Sequence, residues 1–143
     1  PQGNDTAMIE AIAAGQCRIS LVNTYYLARY AAGEAAQKAI AGKVGVIFPD
    51  QSGTGTHVNV SGAGVVKTAP NRANAVKFLE YLTSDSAQRY FADGNNEYPA
   101  ATGLKANSAV EALGTFKADT LSVADIGKRQ AEAVTIFDRA GWN

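Results

Sequence analysis

Apolar residues recur at two different periods along the first part of the chain, and the change of period separates two predicted elements. Residues 5–14 carry apolar side chains at near-helical spacing, with Asn4 or Asp5 as an N-cap. Residues 17–23 alternate from one position to the next, which is the period of a β-strand buried mainly on one face. The pattern therefore predicts a helix followed by a strand that ends at Asn23.

The middle of the chain repeats this change of period. Residues 24–43 are rich in alanine and are interrupted by Gly33, which predicts two consecutive helices. Residues 44–49 form a short apolar run that predicts a second strand, and residues 50–56 form a polar turn. Residues 57–69 alternate again around two glycines, which predicts a longer strand with a bend.

Helical patterns dominate the last half of the chain. Asn71 is the predicted cap of a helix in which Ala75, Phe78, Leu79 and Leu82 share an apolar stripe, and Ser122 and Asp125 have capping-box spacing. The predicted helices are 71–82, a segment around 87–92 terminated by Gly94, 105–113 and 123–140. Because strands alternate with helices, the whole pattern predicts an α/β fold in which a parallel or mixed sheet is flanked by helices.

Composition narrows the range of partners. The 143 residues are 46% hydrophobic and 18% charged, and 13 basic residues balance 13 acidic ones. No apolar run approaches the roughly 20 residues of a membrane helix, so no membrane span is expected. Zero net charge without a Lys/Arg cluster argues against nucleic acid, because neutralising phosphates requires concentrated cations.

Most catalytic motifs are missing from the sequence. Cys17 is the single cysteine, and no HExxH, GxSxG or Walker sequence occurs. His57 is the one histidine; a lone histidine before a valine-rich strand is more often structural than a ligand, so we exclude it from any metal site. These observations favour a binding protein over an enzyme.

The distinctive local feature is the sequence NTYY at residues 23–26, where a predicted strand meets the start of a helix. Ligands of open α/β sheets bind at the carboxyl ends of strands, and a helix N-terminus adds free N–H groups and positive potential. Phenols ionise near pH 10, but a hard trivalent cation displaces their protons. Two phenolates from Tyr25 and Tyr26 would neutralise two of the three charges of Fe(III). The same residues also fit a plain structural role, with one ring packed and the other at the surface.

Several sequence segments, one of which contains NTYY, are distributed over nearly the whole chain. They are GNDTAMIEAIAAGQC, LVNTYYLAR, VIFPDQ, GTHVNVSGAGVVKTAPN, AVKFLEYL, NNEYPA and FDRAGW. In this order they resemble the C-terminal portion of periplasmic ferric-iron-binding proteins, the substrate-binding components of bacterial iron ABC transporters. The resemblance implies a type II periplasmic-binding-protein lobe and a periplasmic or tethered extracellular location.

The resemblance also implies a set of site residues. Tyr25 and Tyr26 correspond to the tandem tyrosines that bind ferric iron, and Asn23 corresponds to an asparagine that contacts the synergistic anion, such as carbonate or phosphate, in some members. Asn4 and Asp5 are expected near the same cleft, as weaker candidates. Members have two lobes that close over the metal, so residues 1–143 are expected to form the C-terminal portion without the N-terminal lobe and its ligands. Delivery to a membrane permease is the implied function.

Other functions remain open at this level. The same fold could bind another small anion or an organic solute, with the tyrosines stacking or donating hydrogen bonds. A truncated lobe could fold and bind nothing measurable. An enzyme that uses a tyrosine as acid or base is disfavoured, because no second titratable group lies near NTYY in the sequence.

Overall fold

The computed structural model describes residues 3–142. Helices are the regular elements in this part of the chain, and none of them has the length and apolar character needed to cross a bilayer. Their bounds are α1 Asp5–Ala13, α2 Thr24–Ala32, α3 Ala35–Ala41, α4 Arg72–Leu82, α5 Asp85–Asn95, α6 Ser108–Glu111, α7 Val123–Lys128 and α8 Gln130–Ala140.

The chain divides into two compact units. The helical unit comprises Asn4–Val46 and Asn59–Thr115 and contains α1 to α6. The C-terminal unit comprises Ile47–Val58 and residues 116–142, together with Gly3, and contains α7 and α8. Each unit has its own internal contacts, and the tyrosine pair belongs to the helical unit.

The helical unit is centred on α2, which packs against α1, α3 and α6. Ile9 of α1 is fully buried, and it clusters with Leu27 and Tyr30 of α2. Burying an aliphatic side chain of this size stabilises the fold by about 1.5–3 kcal/mol. The three residues therefore hold α1 and α2 together.

The start of α1 and the end of α2 follow the predictions, and the start of α3 has a capping box that was not predicted. The Asn4 side chain accepts a hydrogen bond from the Ala7 backbone N–H at 3.0 Å and begins α1. Gly33 ends α2, and Glu34 and Gln37 form a capping box that begins α3. The predicted helix break at Gly33 is confirmed.

The predicted mixed sheet is not confirmed. Residues 17–23, 44–49 and 57–69 contain no regular strand, and β-pairing within residues 3–142 consists of an isolated parallel bridge between Thr56 and Ala118. An alternating pattern allows a segment to enter a sheet, but the strand forms only where a second segment pairs with its backbone N–H and C=O groups. No such neighbour adjoins these segments in the described part of the chain. The apolar side chains of the first segment, which the alternating pattern predicts to be buried, are exposed: Ile19 by 75% and Leu21 by 85%.

Two predicted helices have different bounds in the structure. The segment 123–140 is two helices, because the backbone at Arg129 leaves the helical region between α7 and α8. The segment 105–113 is reduced to the single turn of α6. The predicted cap at Ser122 is confirmed, since its Oγ accepts a hydrogen bond from the Asp125 backbone N–H at 3.1 Å.

The remaining helix predictions are confirmed in position but not in detail. Asn71 precedes α4 but makes no side-chain hydrogen bond to its first turn, so the predicted cap is not confirmed. α4 carries the predicted stripe, yet Phe78 is 59% exposed, so part of that face is not buried within residues 3–142. α5 continues through Gly94 and ends where Asn96 adopts a left-handed conformation with φ of 58°. Asn96 is buried and accepts a hydrogen bond from Asn107 Nδ2 at 2.9 Å, which ties the end of α5 to the start of α6.

The C-terminal unit contains the predicted polar turn. Asp50 accepts hydrogen bonds from both the backbone N–H and the hydroxyl of Thr54, and these bonds lower the pKa of the Asp50 carboxyl. Gln51 accepts from the Lys117 backbone N–H at 2.7 Å, which holds the turn beside the segment that carries Ala118. Gly55 approaches that segment with φ of 111°, and a Cβ there would lie 2.7 Å from the Lys117 carbonyl oxygen, so only glycine fits.

A side-chain hydrogen bond between α1 and α2 generates the first prediction. Tyr30 is buried, and its hydroxyl donates to Glu10 Oε1 at 2.5 Å. Tyr30→Phe keeps the ring and removes this bond, so we expect the free energy of unfolding at pH 7 to fall by about 1–2 kcal/mol in urea denaturation. The hydrogen bond to Glu10, followed by burial, raises the pKa of Tyr30.

The raised pKa fixes the sign of the pH dependence. The neutral phenol is favoured in the folded chain. Its contribution to the free energy of unfolding is therefore complete below the pKa of about 10 in the unfolded chain, and it is lost as the pH rises through the pKa of Tyr30 in the folded chain. Tyr30→Phe should lack this alkaline loss. Tyr90→Phe is the matched control, because Tyr90 is 74% exposed; a stability change in Tyr30→Phe no larger than that of the control would contradict the prediction.

Candidate metal centre

The tyrosine pair lies in the first turn of α2. Thr24 is the first helical residue, and Tyr25 and Tyr26 follow it directly. Consecutive side chains on a helix point about 100° apart. The two rings nevertheless lie together, with centroids 4.2 Å apart and planes inclined by 32°. The predicted location at the start of a helix is confirmed, and the two rings share one aromatic surface.

Burial of the pair is partial. Tyr26 packs against the cluster formed by Ile9, Leu27 and Tyr30, while both Tyr25 and Tyr26 keep part of their surface in contact with solvent. Contact with the core restrains the Tyr26 ring, and the Tyr25 ring lies on it. The phenols are therefore held by the fold and remain accessible.

Arg29 provides a positive charge beside both rings. Its guanidinium carbon lies 5.8 Å from the centroid of Tyr25 and 5.5 Å from that of Tyr26. A cation at this distance is attracted to an aromatic face and stabilises negative charge on a phenolate. From the sequence alone, Arg29 fits a solvated helix residue or the partner of an anion, and neither role places it over the two tyrosines. Its spacing of four residues from Tyr25 and three from Tyr26 is the signal that could have placed it.

The local environment opposes ionisation of Tyr25 in the absence of a metal. Hydrogen bonding with the Tyr26 side chain raises the pKa of Tyr25, and burial and the charges of Tyr26 and Asp5 raise it further. Arg29 acts in the opposite direction and lowers the pKa. At neutral pH Tyr25 is therefore a neutral phenol, and a ligand that requires a phenolate has to displace its proton.

Asn23 occupies the N-cap position of α2 but makes no side-chain hydrogen bond to the first turn. Its backbone N–H and its Nδ2 both donate to Asp5 Oδ2, at 2.8 and 2.9 Å. Its Oδ1 accepts a long hydrogen bond from Asn59 Nδ2 at 3.5 Å. Because the side chain is directed to Asp5 and Asn59, it caps none of the first N–H groups of α2. The Tyr26 N–H donates to the Asn23 carbonyl oxygen at 3.3 Å, which leaves the N–H groups of Thr24 and Tyr25 without an intrahelical acceptor.

The other candidates have different positions. Asn4 is exposed, and its side-chain oxygen caps α1. His57 is exposed and belongs to the C-terminal unit. Within residues 3–142 no group of three or more His, Cys, Asp or Glu side chains is placed to hold a metal ion.

Sequence reasoning missed the contacts that surround Asn23. Asp5 was expected near the cleft, but its pairing with Asn23 was not predicted, and Asn59 was not singled out. The partners lie 18 and 36 residues from Asn23 in sequence. No periodic pattern connects positions so far apart, and only the packing of α1 beside α2 brings Asp5 to Asn23.

An apolar cleft of about 430 Å³ lies elsewhere on the helical unit. Its lining includes Leu27, Ala31, Val44 and Leu113, with Lys38 as the charged member, and it includes neither Tyr25 nor Tyr26. The tyrosine pair therefore lies on an open surface of this unit and is not enclosed by the cleft.

Comparisons with known proteins agree on the kind of protein that this chain resembles. Residues 2–118 match the family model described as bacterial extracellular solute-binding protein. Iron uptake protein A1 of a Synechocystis strain is 54% identical over 99% of the chain and 40% of that protein. A Trichodesmium protein solved in complex with iron and citrate ligands is 51% identical, with a TM-score of 0.92 over 100% of this chain and 46% of that one. The ferric binding protein from Campylobacter jejuni is 32% identical, with a TM-score of 0.93 and the same coverage of both chains.

These comparisons also bear on the class of function. The chain spans less than half the length of the relatives that it matches. These relatives are named as iron uptake and ferric-iron-binding proteins, not as enzymes, in agreement with the prediction of a non-enzymatic chain. The solved relatives have the type II periplasmic-binding architecture that the sequence blocks implied.

The interaction between the two tyrosines can be tested without a metal. We expect Tyr26→Phe to lower the pKa of Tyr25 toward its ordinary value of about 10, because the largest cause of the raised pKa is removed. NMR titration of a ring-labelled Tyr25 measures this directly. Tyr81→Phe is the control, since Tyr81 is 55% exposed on α4; a pKa of Tyr25 that is equally high in all three proteins would show that the rings do not interact in this way.

Proposed function

Because this chain belongs to the bacterial extracellular solute-binding protein family, we propose that it takes part in the capture of ferric iron and its delivery to an ABC transporter permease. The observation that supports this most strongly is the pairing of Tyr25 and Tyr26 on one accessible surface, with ring centroids 4.2 Å apart. Neighbouring phenols at this spacing can present two oxygen ligands to one ion. The names of the similar proteins support iron as the cargo.

The chemistry of the pair suits a hard, highly charged ion. Fe(III) favours anionic oxygen ligands, and two phenolates neutralise two of its three charges. Because the pKa of Tyr25 is raised, the ion has to displace a proton from it, and iron binding should release protons and weaken as the pH falls. Arg29 lies over both rings and offsets part of the negative charge that then develops.

A synergistic anion, such as carbonate or phosphate, completes the proposal. Asn23 and the N–H groups of Thr24 and Tyr25, at the start of α2, would hold it beside the tyrosines. The uncapped start of α2 supports this role, because free N–H groups and the helix dipole favour an anion there. Asn23 Nδ2 carries two hydrogens and gives one to Asp5, so a second remains for a ligand. Asn4 is a weaker candidate, since its side-chain oxygen is used as a cap.

The remaining ligands would come from a second lobe. We propose that residues 1–143 form the C-terminal portion of a two-lobe protein in the periplasm or tethered outside the cell, with the N-terminal lobe as partner. The share of the relatives' length that the chain spans supports this arrangement, as does the lack of a His, Cys, Asp or Glu cluster in residues 3–142. Closure of two lobes would shield the ion, and docking on a permease would favour release.

Ferric citrate provides a direct test of the tyrosine ligands. When it is added to the wild-type chain at neutral pH, we expect a visible tyrosinate-to-iron charge-transfer band, because phenolates bound to Fe(III) absorb in the visible range. Tyr25→Phe and Tyr26→Phe should each weaken the band, and the double variant should abolish it.

Two exposed tyrosines serve as controls for this experiment. Tyr81→Phe and Tyr90→Phe remove phenols on α4 and α5 and should leave the band unchanged. A colourless wild type would count against iron binding by this chain. Binding of citrate without iron, measured by calorimetry, would favour the organic-anion alternative.

A further inference from the structure

One oxygen of Asp5 connects the start of α1 to the start of α2. Asp5 is the first residue of α1 and is half-buried. Its Oδ2 accepts the backbone N–H of Asn23 at 2.8 Å and the Asn23 Nδ2 at 2.9 Å. The two donors restrain both the main chain and the side chain of a single residue, and a carboxylate makes such bonds stronger than a neutral acceptor does.

The position of Asn23 makes this restraint relevant to the tyrosines. Asn23 has an extended backbone, with ψ of 140°, and the chain becomes helical at the next residue. A shift in the backbone at Asn23 would therefore rotate the first turn of α2, which carries Tyr25 and Tyr26. The hydrogen bond from Tyr30 to Glu10 lies at the other end of α2, so the polar contacts of α1 with the start of α2 are those of Asp5, and they add to the packing of Tyr26 on the core.

We propose that Asp5 is a positioning residue for the tyrosine pair, acting through its two hydrogen bonds to Asn23 and not as a ligand of the iron or of the anion. This rests on the proposed iron site. A carboxylate repels an anion, so direct contact between Asp5 and the anion would be unfavourable. Asp5 would hold the two phenols in place before the metal binds. The free energy of iron binding would then not be reduced by the cost of ordering them.

Three variants distinguish the hydrogen-bonding role of Asp5 from the effect of its negative charge. Asp5→Ala removes the acceptor, and Asp5→Asn keeps an acceptor oxygen but removes the charge. Asp85→Ala is the matched control, because Asp85 is likewise the first residue of a helix and loses the same favourable interaction with a helix dipole. Far-UV circular dichroism would test whether each variant is folded.

Iron titration of the 143-residue chain gives the functional readout. We expect Asp5→Ala to bind ferric iron about 10- to 100-fold more weakly, the usual effect of losing an outer-shell partner, and to shift the charge-transfer band. The iron affinity of Asp5→Asn should be closer to that of the wild type than the affinity of Asp5→Ala is, and Asp85→Ala should have the wild-type affinity and band. The proposal would be overturned if Asp5→Ala had the same iron affinity and the same charge-transfer band as Asp85→Ala. It would also be overturned if Asp5→Ala and Asp5→Asn lost iron affinity equally, because the effect would then come from the charge of Asp5.

A metal-free readout decides the proposal even if the wild type binds no iron. Hydrogen exchange of the Asn23 amide and the ring-current shifts of the Tyr25 and Tyr26 ring protons report the bond and the ring geometry. In Asp5→Ala we expect faster exchange at Asn23 and reduced ring-current shifts, with neither change in Asp85→Ala. Unchanged ring-current shifts in Asp5→Ala would overturn the positioning role, whereas a colourless wild type with the expected shifts would overturn only the iron site.

Discussion

The packing of α1 against α2 is the constraint on which the candidate site depends. Ile9 and Leu27 meet in the core of the helical unit, and polar links lie on either side of them, from Asp5 to Asn23 and from Glu10 to Tyr30. The apolar contact provides most of the attraction, and the hydrogen bonds select one alignment of the two helices. A short helix gains little stability by itself, so α2 owes its orientation to these contacts.

The electrostatics of the site follow from this alignment. Asp5 is brought close enough to the tyrosines to oppose ionisation of Tyr25, while Arg29 lies over both rings and favours it. The influences that raise the pKa of Tyr25 outweigh that of Arg29, so the Tyr25 phenol is neutral when no cation is present. In the proposed iron site, this balance would favour a strongly charged cation, because binding has to offset the displacement of two phenolic protons.

The extended segments show a different relation between sequence and structure. Their alternation predicts strands, yet in residues 3–142 they make no regular sheet and leave Ile19, Leu21 and Ile47 exposed. A helix satisfies its backbone groups within one segment, whereas a strand depends on a neighbour. The sequence pattern therefore predicts that the apolar faces of these segments are buried, but the described residues leave them exposed.

Local sequence was sufficient to determine the helices around the site, the break at Gly33 and the position of Tyr25 and Tyr26 in a first helical turn, because caps, glycines and apolar spacing act within a few residues. It could not determine whether the alternating segments would find partners. Nor could it show that Asp5 holds Asn23 or that adjacent rings converge under Arg29. Those features were decided by tertiary structure, since they depend on how helices separated by an extended segment pack together, and that geometry is set by contacts across the core.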